Sequence, residues 1–225
     1  METLALPADP EVKSPRPRGR PRKTLAGRDD GNRRRELVAA AARLFRQNGF
    51  AATSTRDIAA AVGMRSGSPF YHFKSKGDLL YAVMEEGMRA AVERQTQVLK
   101  SVTALPPDPC RDLALLIRHH FDVLLGPGSD FIPVMLYEAR SLTDAQRAGL
   151  ALLQEQYEAA WTPVLAVLYA RGLLRADVKL ARLLMFGALN WSVQWYRRGG
   201  GASLEGLTTA ALALFIAEDA PASAV

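Results

Sequence analysis

Ser54-Thr55-Arg56-Asp57-Ile58-Ala59-Ala60-Ala61-Val62-Gly63-Met64-Arg65-Ser66-Gly67-Ser68-Pro69-Phe70-Tyr71-His72-Phe73 is the stretch that decides the fold. Thr53 or Ser54 stands where a helix needs a cap, and Asp57, three residues past Ser54, gives a capping-box-like spacing. Ile58 and Val62 supply a buried edge, and Gly63 supplies a turn. A second short helix begins at about Ser66, because Pro69 has no N–H to donate and suits only a first turn. Gly67 and Ser68 keep that turn slim, and Phe70 points into a small core. Tyr71 and His72 either reach phosphate and base edges or simply pack. Helix, glycine turn and helix make a helix-turn-helix, whose second helix enters the DNA major groove.

Working outward, helical periodicity starts upstream at Arg33, with Leu37, Ala40, Ala41, Leu44 and Phe45 on one face. Gly49 ends this helix and Phe50 can fold back on its last turn. Arg33 to Arg35 sit near the expected helix start, where cations oppose the macrodipole, so phosphate or solvent must compensate. Downstream, Ser75 and Asp78 repeat the capping spacing and open a helix through Leu79, Leu80, Val83, Met84 and Met88 towards Val98. That helix is long enough to join a head to a separate body. Pro106-Pro107-Asp108-Pro109 then interrupts the chain.

Phe45, Gly49-Phe50, Thr53, Asp57-Ile58-Ala59, Gly63, Gly67, Tyr71-His72-Phe73, Ser75-Lys76 and Asp78-Leu79-Leu80 fall in an order and spacing that resembles the TetR/AcrR repressor pattern across residues 33–80. The resemblance implies an all-α fold of about nine helices, with a three-helix DNA-binding head at 31–78 and an effector-binding and dimerisation body at 79–225. It implies a homodimer on a palindromic operator, released by a small apolar or acyl-CoA-type ligand, with no membrane association and no cofactor. The expected DNA-contacting set is Thr53, Ser54, Thr55, Arg56, Arg65, Ser66, Gly67, Ser68, Tyr71, His72 and Lys76. Three positions depart from the pattern: Phe70 replaces a usual Tyr, Pro69 a usual aliphatic residue and Arg65 a frequent Ser.

Charge is distributed as DNA binding requires. Residues 1–28 carry seven Lys/Arg against three acids and residues 29–78 nine against five, whereas residues 79–225 carry thirteen against fifteen. Residues 1–30 are rich in proline and charge, which predicts disorder. Within them Arg18-Gly19-Arg20-Pro21 resembles an AT-hook: glycine permits close backbone approach, and Arg18 and Arg20 match the potential of a narrow minor groove. A generic basic tail sliding on phosphates is the other reading.

The body reads as helix throughout: Leu113 to Leu125, Phe131 to Arg140, and a long helix from Thr143 or Asp144 through Leu168, kinked at Pro163. Asp177 to Arg197 and Leu204 to Ala217 complete it. Phe121, Leu125, Phe131, Met135, Tyr157, Trp161 and Trp191 either line an apolar pocket or make an ordinary core. Leu184, Ala188 and Trp195, with Leu207, Ala211 and Leu214, suit helix pairing between two subunits, though a monomer core has the same composition. Asp177…Gly187-Ala188-Leu189-Asn190-Trp191…Trp195-Tyr196-Arg197…Gly200 is similar to a subset of these repressors that includes sensors of acyl-CoA thioesters.

Other functional classes fit less well. A single Cys110 provides no disulfide framework, and no apolar run reaches the roughly 20 residues of a membrane span, so a cytoplasmic protein is expected. GxSxG, GxxxxGK[ST] and GxGxxG are absent. His119 and His120 are neighbours whose side chains diverge on a helix, which is poor geometry for one metal. An enzyme is therefore not expected. An AT-hook-assisted nucleoid protein remains the alternative, but such a protein has no need of so large an acid-balanced body.

Overall fold

The computed structural model describes residues 25–65, 68–102, 107–127 and 129–217. Among the described residues there are nine α-helices, two 3-10 turns and no strand. The head consists of α1 (Leu25–Asn48), α2 (Thr55–Ala61) and a 3-10 turn at Ser68–Tyr71. Leu37, Ala40, Ala41 and Phe45 are buried along one face of α1. The helix stops at Gly49, whose φ of 80° suits a residue without Cβ, and Phe50 turns back to meet Phe45 edge-on at 5.3 Å.

Two local expectations need correcting. The first helix begins at Leu25, so the disorder expected over residues 1–30 does not extend to residues 25–30. Each residue added to an existing helix gains one hydrogen bond, and no proline follows Pro21 to stop it. Arg33 to Arg35 consequently lie inside the helix, clear of the macrodipole conflict. The second helix of the motif is a single 3-10 turn, closed where His72 and Phe73 N–H groups both donate to the Pro69 carbonyl at 3.0 and 2.9 Å. With a proline at its second position, little backbone donation is available to extend the turn backwards.

Next comes α3 (Lys76–Val102), which packs on α1 and also on three body helices, α4 (Pro109–Leu125), α5 (Phe131–Glu138) and α6 (Asp144–Ala159). Gly87 allows α3 and α5 to touch, since a Cβ there would run into the Phe131 ring. A 3-10 turn at Ala139–Ser141 links α5 to α6, whose Thr143 cap forms a capping box with Gln146. The long helix expected through Pro163 is two helices, α6 and α7 (Thr162–Ala170). Pro163 lacks the N–H that would have continued the ladder, so the chain breaks rather than kinks, and Trp161 is buried at the corner. Then α8 (Val178–Trp195) and α9 (Leu204–Phe215), capped by Asp177 and Ser203, both lie against α4. No described helix is long and apolar enough to cross a membrane.

Candidate DNA-binding head and effector cavity

The α2 N-terminus is built by its cap: the Asp57 N–H donates to Ser54 Oγ at 3.2 Å, and the Ser54 N–H donates to Asp57 Oδ2 at 2.9 Å. The Ser54 hydroxyl, which donates to Asp57 Oδ2 at 2.6 Å, and after it the Ser54 N–H hold the Asp57 carboxyl below its ordinary pKa. Arg56, Arg65 and Lys74 are exposed around this end of the molecule. Tyr71 is 91% exposed, an unusual position for a phenol unless something covers it. Thr55 and His72 are half-buried. Ser66, Gly67 and the side chains of Ser68 and Phe70 lie outside the described residues, as do Arg18, Gly19 and Arg20.

Thr53 and Lys76 are engaged within the head itself. Thr53 is 1% exposed, and its hydroxyl donates to the Gly49 carbonyl at 2.8 Å, tying the α1–α2 turn together. Lys76 Nζ donates to the carbonyls of Phe50 at 2.8 Å and Thr53 at 2.9 Å, and lies 4.3 Å from the centre of the Phe50 ring. A side chain so engaged braces the head. Sequence proximity to the motif gave no hint of this, because the carbonyl partners come from a turn 23 to 26 residues away.

The head is fastened to the body at defined points. Arg34 pairs with Glu86 on α3, and its guanidinium lies 5.1 Å from the centre of the Phe73 ring. The Phe50 N–H donates to Glu138 Oε1 at 3.0 Å, and Arg46 Nη1 meets Asp130 Oδ1 at 2.6 Å, so both contacts tie the head to α5 or the residue before it. Gln146 Nε2 on α6 donates to Asp78 Oδ1 at 3.1 Å.

Inside the body, Met88 and Ala91 of α3, His120 and Leu124 of α4, Met135 of α5, Tyr157 of α6 and Phe186 and Asn190 of α8 surround a cavity of about 60 Å³. His120 is its polar centre. Its Nε2–H donates to Asn190 Oδ1 at 3.1 Å, which leaves Nδ1 to accept from the Tyr157 hydroxyl at 3.1 Å. Burial pushes the imidazole down to about 4, so it is neutral at physiological pH. The same burial pushes the Tyr157 hydroxyl up, leaving it a neutral donor. The His120 ring sits edge-on to Phe186 at 5.0 Å and to Trp161 at 5.9 Å. His119 turns elsewhere, with Nε2 at 3.3 Å from the Ala91 carbonyl.

Of the seven residues expected around a pocket, Met135 and Tyr157 line this cavity. Phe121 is core, Phe131 packs on Gly87, Trp161 is fully enclosed at the α6–α7 corner, and Leu125 borders a separate cleft. Trp191 is 64% exposed and faces away. Its neighbour Asn190 reaches the cavity instead, because one helical residue rotates the side chain by roughly 100°. Sequence reasoning misses His120, Phe186 and Asn190; the available signal is a histidine pair beside the apolar stripe of an amphipathic helix.

The exposed Trp191 belongs to a different feature. Leu184, Ala188, Trp191 and Trp195 follow one another at helical spacing on the outer face of α8, with Leu180 and Leu183 alongside. On α9, Leu214 is exposed, Leu207 half-buried and Ala211 buried. Leu184, Ala188, Trp195 and Leu214 are therefore free to meet another surface, whereas Ala211 is already within the chain's own core.

Residues 37–83 match the family model of bacterial regulatory proteins of the tetR family, and residues 107–218 match that of the tetracyclin repressor-like C-terminal domain. The transcriptional repressor KstR2 of Mycolicibacterium smegmatis is 30% identical over 179 residues, covering 77% of this chain and 84% of that protein. Among solved structures, the superantigen PfiT is 36% identical with a TM-score of 0.69, covering 83% of this chain and 97% of its own. AibR, solved with isovaleryl coenzyme A and operator DNA, is 26% identical with a TM-score of 0.71, covering 81% of this chain and 97% of its own. With its head and its body each matched by a family model, and a repressor similar to it over most of its length, the chain belongs to the TetR family of helix-turn-helix transcriptional repressors.

Proposed function

We propose that this repressor works in the cytoplasm as a homodimer on a palindromic operator and is released by a CoA thioester or a similar small apolar ligand. The observation that carries the ligand half is the His120 cavity, a chamber of mixed apolar and polar lining in which His120, Tyr157 and Asn190 hold one another in fixed orientation. AibR, a neighbour in fold, holds isovaleryl coenzyme A. At about 60 Å³ the cavity is much smaller than the ~300–1,000 Å³ of sites that enclose a whole ligand. An acyl group must therefore push its walls apart. One wall is α3, and the N-terminal end of α3 carries the Lys76 brace under the head. Expansion of the cavity and movement of the head are thereby one event, and ligand shifts the balance by its differential affinity for the two states.

The direct test is operator binding by the purified protein across a panel of CoA thioesters from short to long chain. Release by at least one member is expected; an operator complex indifferent to the whole panel would sink the effector reading. For the head, Tyr71→Ala should weaken operator binding by about fivefold to tenfold, the worth of one hydrogen bond, with unfolding unchanged because the side chain is solvent-exposed. For the dimer, Leu184→Glu puts a charge into the outer face of α8. It should give a folded monomer by sedimentation, with operator affinity lost along with two-fold pairing of the heads. The minor-groove role of Arg18-Gly19-Arg20 is part of the same proposal. Removing residues 1–28 should reduce the salt dependence of operator binding by about one in log–log slope for each phosphate that the tail neutralises.

A further inference from the structure

The inner cavity shares a wall with a larger cleft. Leu124 lines both, and the cleft beyond it, of about 430 Å³, is bordered by Arg46, Asp130, Tyr196 and Arg198. The two spaces differ in charge: the inner one has neutral His120, Tyr157, Asn190 and Gln154 together with Glu158, whose carboxylate is paired with Arg182, while the outer one sets two guanidiniums against one carboxylate. Arg198 is exposed, and its Nη2 donates to the Leu125 carbonyl at 2.9 Å, which holds it at the cleft. Arg46 stands in the last turn of α1, and so belongs to the DNA-binding head, and its partner Asp130 belongs to the body.

We propose that this cleft seats the phosphates of the effector while its acyl group passes Leu124 into the His120 cavity, and that the phosphates compete with Asp130 for Arg46. The inference rests on the CoA-thioester reading above and names its second subsite and its lever on the head. A phosphate offers more charge and more acceptor oxygens than a carboxylate, and a guanidinium fork is suited to it. When Arg46 changes partner, α1 loses a tie to the body at the same moment that the acyl group spreads α3 from α5. Charge at the cleft then acts on α1 and volume in the cavity on α3, the two helices that pack on each other beneath the head. By linkage, a chain held on its operator must bind the thioester more weakly by the same factor.

The test uses the full chain, calorimetry, and three probes: butyryl-CoA, palmitoyl-CoA, and S-butyryl-N-acetylcysteamine, which has the butyryl thioester without phosphates. Arg198→Gln lies outside the core and should weaken butyryl-CoA by about tenfold while leaving the phosphate-free thioester unchanged. Asp130→Asn removes the competitor and should tighten butyryl-CoA by several-fold, an improvement that a merely structural role for Asp130 would not produce. Butyryl-CoA binding that is equal in wild type and Arg198→Gln, or that fails to tighten in Asp130→Asn, overturns the cleft assignment and leaves the effector reading standing. Equal affinity of the wild type for butyryl-CoA and S-butyryl-N-acetylcysteamine overturns it too. If the wild type binds neither butyryl-CoA nor palmitoyl-CoA, the effector reading itself fails and this inference falls with it.

Discussion

Trp161→Ala is expected to lower the unfolding free energy by about 3–5 kcal/mol, a large part of the ~5–15 kcal/mol that holds a domain of this kind together. Trp161 is fully buried where α6 ends and α7 begins, and its ring meets Phe186 at 4.8 Å and His120 at 5.9 Å. Truncation removes the transfer energy of an indole and opens a cavity that the surrounding helices cannot fully close. A polar penalty is added. With its amide turned to satisfy both neighbours, buried Gln95 accepts from Trp161 Nε1 at 3.0 Å and donates to the Tyr157 carbonyl at 2.9 Å. Alanine leaves the Gln95 oxygen without that donor. Trp161→Phe keeps most of the volume and isolates the hydrogen bond, with an expected loss of about 1–3 kcal/mol. Urea denaturation of both variants checks the order; an alanine variant as stable as the wild type would mean that the corner is not packed as described.

Acid should destabilise the protein through His120. Its pKa is about 4 in the folded chain against 6.5 when unperturbed, because a fully buried imidazole cannot be solvated as a cation. Between those two values the unfolded chain binds the extra proton and the folded chain does not. Stability from this residue is therefore complete above about pH 6.5 and drains away as pH falls towards 4, by about 3 kcal/mol in total. His119, lowered chiefly by burial as well, acts in the same direction. His120→Gln retains hydrogen-bonding capacity without a titrating proton. The difference in unfolding free energy between wild type and variant should move in the variant's favour across that window, and parallel pH profiles would show that His120 titrates as it does in water. The depressed value also has a functional side: at neutral pH His120 presents an uncharged ring to the cavity.

What was legible in the chain was what neighbouring residues decide. Gly49 with Phe50, Ser54 with Asp57, and Ser75 with Asp78 act across a few bonds, and each stands in the structure as spacing implied. Periodicity groups Ala181, Leu184, Ala188, Trp191 and Trp195 on one stripe of α8, but the structure buries Ala181 in the chain's own core and leaves the other four exposed, Trp191 among them and not in the cavity. Thr53 and Lys76 look like DNA ligands by position, and in the structure both donate to carbonyl groups of the α1–α2 turn. His120 was read only as a poor metal ligand. Its partners Tyr157 and Asn190 are 37 and 70 residues away, beyond the reach of any local pattern.

By itself the sequence determined the class of the protein: helical head and helical body, the capped second helix, the glycine turns and the basic N-terminal third. These depend on backbone propensity, capping and charge, which act within a turn or two of helix. The tertiary structure alone decided which polar side chains are used up internally, where the cavity lies, and how Arg46, Phe50 and Asp78 bind the head to the body. A hydroxyl, an ammonium or an imidazole takes its role from the groups that burial brings within about 3 Å of it, and those groups come from distant parts of the chain.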